Sequence, residues 1–179
     1  MRPRMLGALL VAATLAGCSS ASPPEEERDL PNELRVTSPV MAEGDQVPTR
    51  YTCAGQDVAP PLAWSGTPPG TDELAVIVDD PDAPGGTFVH WVLFGLDPDL
   101  TALAEGRLPA GARQAANSAG SSGYKGPCPP PGRAHHYRFT VYALGQALTL
   151  ANGAGTKQAV EAIERAAIAR GRLTATFQR

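Results

Sequence analysis

Long apolar runs are missing from this 179-residue chain. The longest, residues 5–15, falls short of the roughly 20 residues a membrane-spanning helix needs. Basic clusters are missing too: charged residues make up only 18 % of the chain and the formal net charge is −3. Without residues 1–17, which carry Arg2 and Arg4, Lys plus Arg falls from 15 to 13 against 18 acids, leaving −5. An acidic chain with no basic stripe has no electrostatic hold on a phosphate backbone, so nucleic acid is excluded as a partner. No internal repeat is visible. No HExxH or comparable metal-ligand spacing occurs, and no nucleophile stands beside an activating base. Helix formers do not dominate, and 19 Gly with 18 Pro fit many short strands joined by tight turns.

What is present begins with a secretion layout. Arg2 and Arg4 precede the apolar run, and Leu15-Ala16-Gly17-Cys18 closes it. The small-residue site ending in cysteine resembles a bacterial lipobox, which predicts a signal peptide over residues 1–17 and lipidation at Cys18. An ordinary cleaved signal with a free Cys18 is the alternative. Residues 18–31, rich in Ser, Pro and Glu, are expected to be a disordered tether. At up to about 3.3 Å per residue it would hold the domain within about 45 Å of the membrane. The chain is thus expected in the cell envelope, facing outside the cytoplasm. A globular domain is predicted over residues 32–179.

Within that domain Leu34 and Val36 alternate with polar neighbours, an edge strand ended by Ser38-Pro39; residues 46–52 form a second, weak strand. Leu74-Ala75-Val76-Ile77-Val78 is β-branched and apolar, as in a strand covered on both faces. An acidic, proline-rich turn follows: Asp79-Asp80-Pro81-Asp82-Ala83-Pro84. Residues 87–94 then read as a strand with Phe88, His90, Val92 and Phe94 on one face and Val89, Trp91 and Leu93 on the other. Residues 98–123 read as a long loop with one short strand or turn. In residues 135–144, His135, Tyr137, Phe139, Val141 and Ala143 share a face, which turns His136 away from it. Residues 156–170 predict the one convincing helix, capped by Thr156 and ended by Gly171, before Leu173, Ala175 and Phe177 alternate as a closing strand.

Two stretches carry a resemblance: Asp80-Pro81-Asp82-Ala83-Pro84 with the later His90-Trp91, and Gly126-Pro127-Cys128-Pro129-Pro130 with His135-His136-Tyr137. With Tyr51-Thr52-Cys53-Ala54-Gly55 and Pro60-Pro61-Leu62-Ala63-Trp64, they resemble the phosphatidylethanolamine-binding protein family in its bacterial Raf-kinase-inhibitor-like branch, over residues 34–179. The resemblance implies a mainly β fold: a large antiparallel sheet packed on a smaller one, with a C-terminal helix against it. It also implies a small anion pocket lined by Asp80, Asp82, His90, Pro130, His135 and Tyr137, with Phe88 at its mouth. The implied ligand is a phosphate-bearing small molecule or a phospholipid head group such as phosphoethanolamine.

Bland roles compete with these. Asp80 and Asp82 can simply satisfy turn amides, and His90, His135 and Tyr137 can be core residues with satisfied polar atoms. Tyr124 and Asn117 resemble recurrent family loop residues. Lys125 and Arg133 stand near the site in sequence only. The family commonly carries a histidine in the C-terminal helix and a tyrosine near the end, where this chain has Ala166-Ala167-Ile168-Ala169 and Phe177, so its pocket rim should be more apolar. Family members elsewhere inhibit kinases or proteases, which makes a protein-interaction module with an unknown partner the alternative function. A metal-dependent hydrolase built on His90, His135 and Asp80 is a third reading without supporting spacing. No catalytic residue, metal ligand or cofactor is therefore assigned. Outside the cytoplasm Cys53 and Cys128 are expected to pair, and two free buried cysteines are the alternative.

Overall fold

The computed structural model describes Met1 and residues 30–179; the predicted signal segment, Cys18 and residues 19–29 of the tether lie outside the described residues. Eight strands and one α-helix follow in the order β1 (Arg35–Thr37), β2 (Leu62–Ser65), β3 (Glu73–Asp80), β4 (Phe88–Leu96), β5 (Ala102–Leu103), β6 (Arg113–Gln114), β7 (His135–Leu144), α1 (Thr156–Ala166) and β8 (Ala167–Phe177). A five-stranded antiparallel sheet has the order β6-β4-β3-β7-β8, and a three-stranded one the order β1-β2-β5. Among the described residues no helix is long and apolar enough to cross a membrane.

β3 is central, which explains why Leu74 to Val78 are apolar without alternation: both faces of the large sheet are covered. Leu74, Val76 and Val78 meet Leu34, Val36, Leu62 and Trp64 between the sheets. Ala75 and Ile77 meet Ala159, Ile163 and Ala166 of α1 on the opposite face. The fold is thus three layers: small sheet, large sheet, helix.

The structure corrects the sequence expectations at several points of the fold. Leu30 is already buried in the helix-side core and the Pro31 carbonyl accepts from the Arg170 amide, so order begins before residue 32. Residues 46–52 are not a strand: Gln46 makes one isolated bridge to Thr176, and Thr49–Tyr51 is a 3-10 turn. The span read as one long loop holds both β5 and β6. Gly155, not Thr156, occupies the helix N-cap; the Thr156 hydroxyl instead donates to the carbonyls of Ala116 (2.7 Å) and Asn117 (3.1 Å). The helix stops at Ala166 rather than residue 170, and Ala167, Ala169 and Arg170 pair with β7 around a bulge at Ile168. Helix propensity there is only a weak preference, and ladder bonds plus burial of Ala167 and Ala169 override it.

Gly171 therefore sits inside β8 and does not end the helix. A Cβ at this position would lie 1.9 Å from the Leu34 carbonyl oxygen, so the crossing of β1's approach over β8 requires glycine.

Candidate functional site

At the end of the large sheet where β3 finishes and β4 and β7 begin lies a cavity of about 320 Å³. Asp80, Phe88, His90, His135 and Tyr137 come from the three strands, Ala83 and Pro84 from the acidic turn, and Lys125, Cys128, Pro129 and Pro130 from the loop before β7. A more open hollow of about 600 Å³ runs along Arg35, Asp45 and Leu173, but no histidine, cysteine or tyrosine lines it. The chemistry is concentrated in the smaller one.

His90 reaches it through a β-bulge. Val78 pairs with Trp91 and Asp79 with Val89, leaving His90 as the extra residue. The simple alternation predicted for this strand therefore breaks. Val89 packs with Val92 and Phe94 on the helix side, while the His90 ring stands 4.8 Å from Phe88 and 5.3 Å from Tyr137, centroid to centroid. In β7 the period of two holds throughout: His135 and Tyr137 point one way with Phe139 and Val141, and His136 is exposed on the other side.

Each ring is fixed by its Nδ1. His90 Nδ1 lies 2.6 Å from the Lys125 carbonyl oxygen, which can only accept, so Nδ1 carries the proton. His135 Nδ1 lies 2.8 Å from Asp80 Oδ2. Asp80 Oδ1 accepts the Asp82 amide at 2.8 Å, so both oxygens of this buried carboxylate are engaged. The Nε2 of each imidazole is left without a described partner. Burial lowers the His90 pKa from its usual value, more than the neighbouring carboxylates raise it. Tyr137 is fully buried, and its hydroxyl is the one buried side-chain polar atom among the described residues with no hydrogen bond. Burial, then the Asp80 carboxylate, which acts through its charge and through a contact with the hydroxyl too loose to be a hydrogen bond, pushes its pKa far upward, so it is a neutral phenol.

The structure does not bring Asp82 into the cavity lining. Its Oδ2 accepts from the His136 amide (2.9 Å) and His136 Nδ1 (2.7 Å), and Arg133 Nη1 lies 3.6 Å from Oδ1. The His136 contacts, ahead of Arg133, hold its carboxyl below the usual range. Asp82 is thus an outer brace that ties the acidic turn to β7. Lys125 and Arg133 are near the site in space as well as in sequence, the first in the lining and the second on this brace. Sequence reasoning also missed Ala83, Pro84 and Pro129; their signal was membership of the two proline-rich motifs.

The loop carrying Lys125 is held from behind. A disulfide joins Cys53 to Cys128, the Cys53 amide donates to Pro127 O (3.1 Å), and the Tyr124 hydroxyl donates to Tyr51 O (2.9 Å). The Gly126 amide donates to Asp57 Oδ1, and a Cβ there would lie 2.5 Å from Tyr51 O. Asn117 is a loop organiser: its Oδ1 accepts from the Ala119 amide and its Nδ2 donates to Gly123 O. Phe177 packs on the inter-sheet core opposite His135 in register. Among the described residues no group of three or more His, Cys, Asp and Glu is placed to hold a metal ion.

A two-sheet antiparallel sandwich with an apolar-walled cavity and a polar floor of two imidazoles and a phenol defines a class of binding protein. The sequence profile described as phosphatidylethanolamine-binding protein matches residues 37–178. The crystal structure of Escherichia coli YbcL, described as a new member of the mammalian PEBP family, superposes with a TM-score of 0.77 at 34 % identity, covering 82 % of this chain and 99 % of that one. The Chlamydia trachomatis homologue CT736 gives 0.76 at 36 % identity, covering 83 % and 99 %. Among curated proteins, one named "Putative lipoprotein LppC" from Mycobacterium tuberculosis is 49 % identical over 146 residues, 81 % of this chain and 72 % of that protein. A UPF0098 protein of Methanothermobacter thermautotrophicus is 44 % identical over 139 residues, 75 % of this chain and 91 % of that protein. The chain belongs to the phosphatidylethanolamine-binding protein family.

Proposed function

We propose that this protein is a non-catalytic binding module, carried in the cell envelope on a lipidated Cys18, whose cavity takes a phosphate group, free or as a head group such as phosphoethanolamine. The observation that carries the reading is the buried, unpartnered Tyr137 hydroxyl beside the two imidazoles that line the same cavity. A buried polar atom without a partner costs about 1–3 kcal/mol, and a bound oxyanion would relieve it. The wall of Phe88, Pro84, Pro129 and Pro130 would exclude water around the anion and strengthen those few hydrogen bonds. Binding rather than catalysis suits this lining: its one sulfur is in a disulfide and Asp80 is engaged on both oxygens.

Thermal unfolding with inorganic phosphate and with phosphoethanolamine tests the reading. Ligand at about 100 times Kd should stabilise the domain by about 2.7 kcal/mol. Absence of any shift between about pH 5 and 8 would remove the anion reading and leave the protein-interaction module as the better account. The anchor is tested separately: Cys18→Ser should release the protein from the membrane fraction. The name of the mycobacterial relative supports that part.

A further inference from the structure

The polar floor has a donor–acceptor balance that a bare oxyanion does not match. The Lys125 carbonyl takes the Nδ1–H of His90 at 2.6 Å, so a neutral His90 presents its Nε2 as a lone pair. Burial keeps that ring neutral around physiological pH. Tyr137 offers an O–H, and its ring centroid is 5.3 Å from that of His90, so one small ligand can meet both. His135 adds a ring whose Asp80 partner accepts from Nδ1 in either protonation state. One side of the floor therefore gives a hydrogen and the other side asks for one.

We propose that the pocket selects a phosphate that still carries a hydroxyl proton, its P–OH donating to His90 Nε2 while Tyr137 donates to an unprotonated oxygen. This rests on the anion-binding reading above and narrows it. Inorganic phosphate keeps one P–OH throughout the neutral range. A phosphomonoester, with a second ionisation near pH 6, fits as its monoanion. Fully ionised oxyanions and phosphodiesters, the form found within intact phospholipids, have no such proton and would set an oxygen lone pair against that of His90. The charges that bear on His90 are Asp79 and Asp80 from β3 and Lys125 from the loop; β7 contributes the Tyr137 phenol, and β8 places only Phe177 opposite His135. Desolvation disfavours a proton on His90, as does the lysine ammonium, and together they outweigh the Lys125 carbonyl and the carboxylates, which favour one.

Sulfate matches the shape and charge of hydrogen phosphate and lacks the proton, which makes it the control. Titration calorimetry on the full chain at about pH 7.5 should show inorganic phosphate binding about tenfold or more tighter than sulfate and than glycerophosphoethanolamine. The phosphate–sulfate gap should narrow as pH is lowered until His90 takes a proton and becomes a donor, and should collapse in His90→Phe. Equal affinity for the two dianions at pH 7.5 would overturn the proposal even if the variant fails to fold. Tighter binding of the diester would overturn it in favour of an intact lipid head group. Failure of all three probes to bind would sink this proposal together with the anion-binding reading, and so is distinguishable from either.

Discussion

Asp80 and His135, 55 positions apart in the chain, share a 2.8 Å hydrogen bond at the floor of the cavity. Both are almost completely buried, and the same carboxylate accepts the Asp82 amide. One side chain thus sets the imidazole's orientation and the first bend of the acidic turn. Asp80→Ala should lower stability by about 1–3 kcal/mol, because it leaves the buried His135 Nδ1–H and the Asp82 amide unpaired. Urea unfolding measures this, and a change below a few tenths would show that the pair is not structurally important.

Tyr137→Phe should separate stability from binding. The variant removes a buried hydroxyl that has no partner in the free protein, so unfolding free energy should be unchanged or rise by about 1 kcal/mol. Phosphate affinity should fall in the same variant. Loss of stability together with unchanged affinity would mean the hydroxyl serves the core and not a ligand.

The His90 ring gives stability a pH dependence of definite sign. Its folded pKa lies below the unfolded value of about 6.5, so the unfolded chain binds more protons in this window and stability rises with pH. In the absence of phosphate, the melting temperature should therefore decline as pH falls below about 6.5, and decline less in His90→Phe. Asp82 acts in a separate window: its depressed pKa contributes stability that is lost only as pH falls below about 3.8. A melting temperature that rises on acidification through pH 6 would contradict the burial of a neutral imidazole.

Reducing Cys53–Cys128 should affect both fold and site. The bridge closes a separation of 75 residues, worth up to about 4 kcal/mol in the chain-entropy account. It also fixes the loop whose Lys125 carbonyl orients His90 and whose Pro129 and Pro130 wall the cavity. Cys53→Ser/Cys128→Ser should unfold at lower denaturant and bind phosphate more weakly. Unchanged affinity in a folded double variant would show that the backbone bonds of Cys53 and Gly126 hold the loop unaided.

Local pattern made much of this molecule legible. The period of two across residues 135–144 put His135 and Tyr137 on one face and His136 on the other, as found, because β7 is regular where these residues pair with β8. The apolar block of β3 announced a strand buried on both sides. The two proline-rich motifs marked the segments that wall the cavity, and the presence of a C-terminal helix followed from an apolar stripe of Val160, Ile163 and Ala167, of which Val160 and Ile163 lie in the helix.

What the chain itself determined, then, is which segments extend, which turn and which faces are apolar, since these depend on neighbours a few residues away. Three-dimensional pairing decided the rest. The direction of His90 depends on a bulge set by the register between β3 and β4, and a one-residue slip reverses every side chain. The withdrawal of Asp82 from the cavity depends on His136 and Arg133, more than fifty positions away. The early end of α1 depends on ladder bonds that β7 offers to Ala167 and its successors. Hydrogen-bond partners brought together from distant segments outcompeted local preference at each of these places.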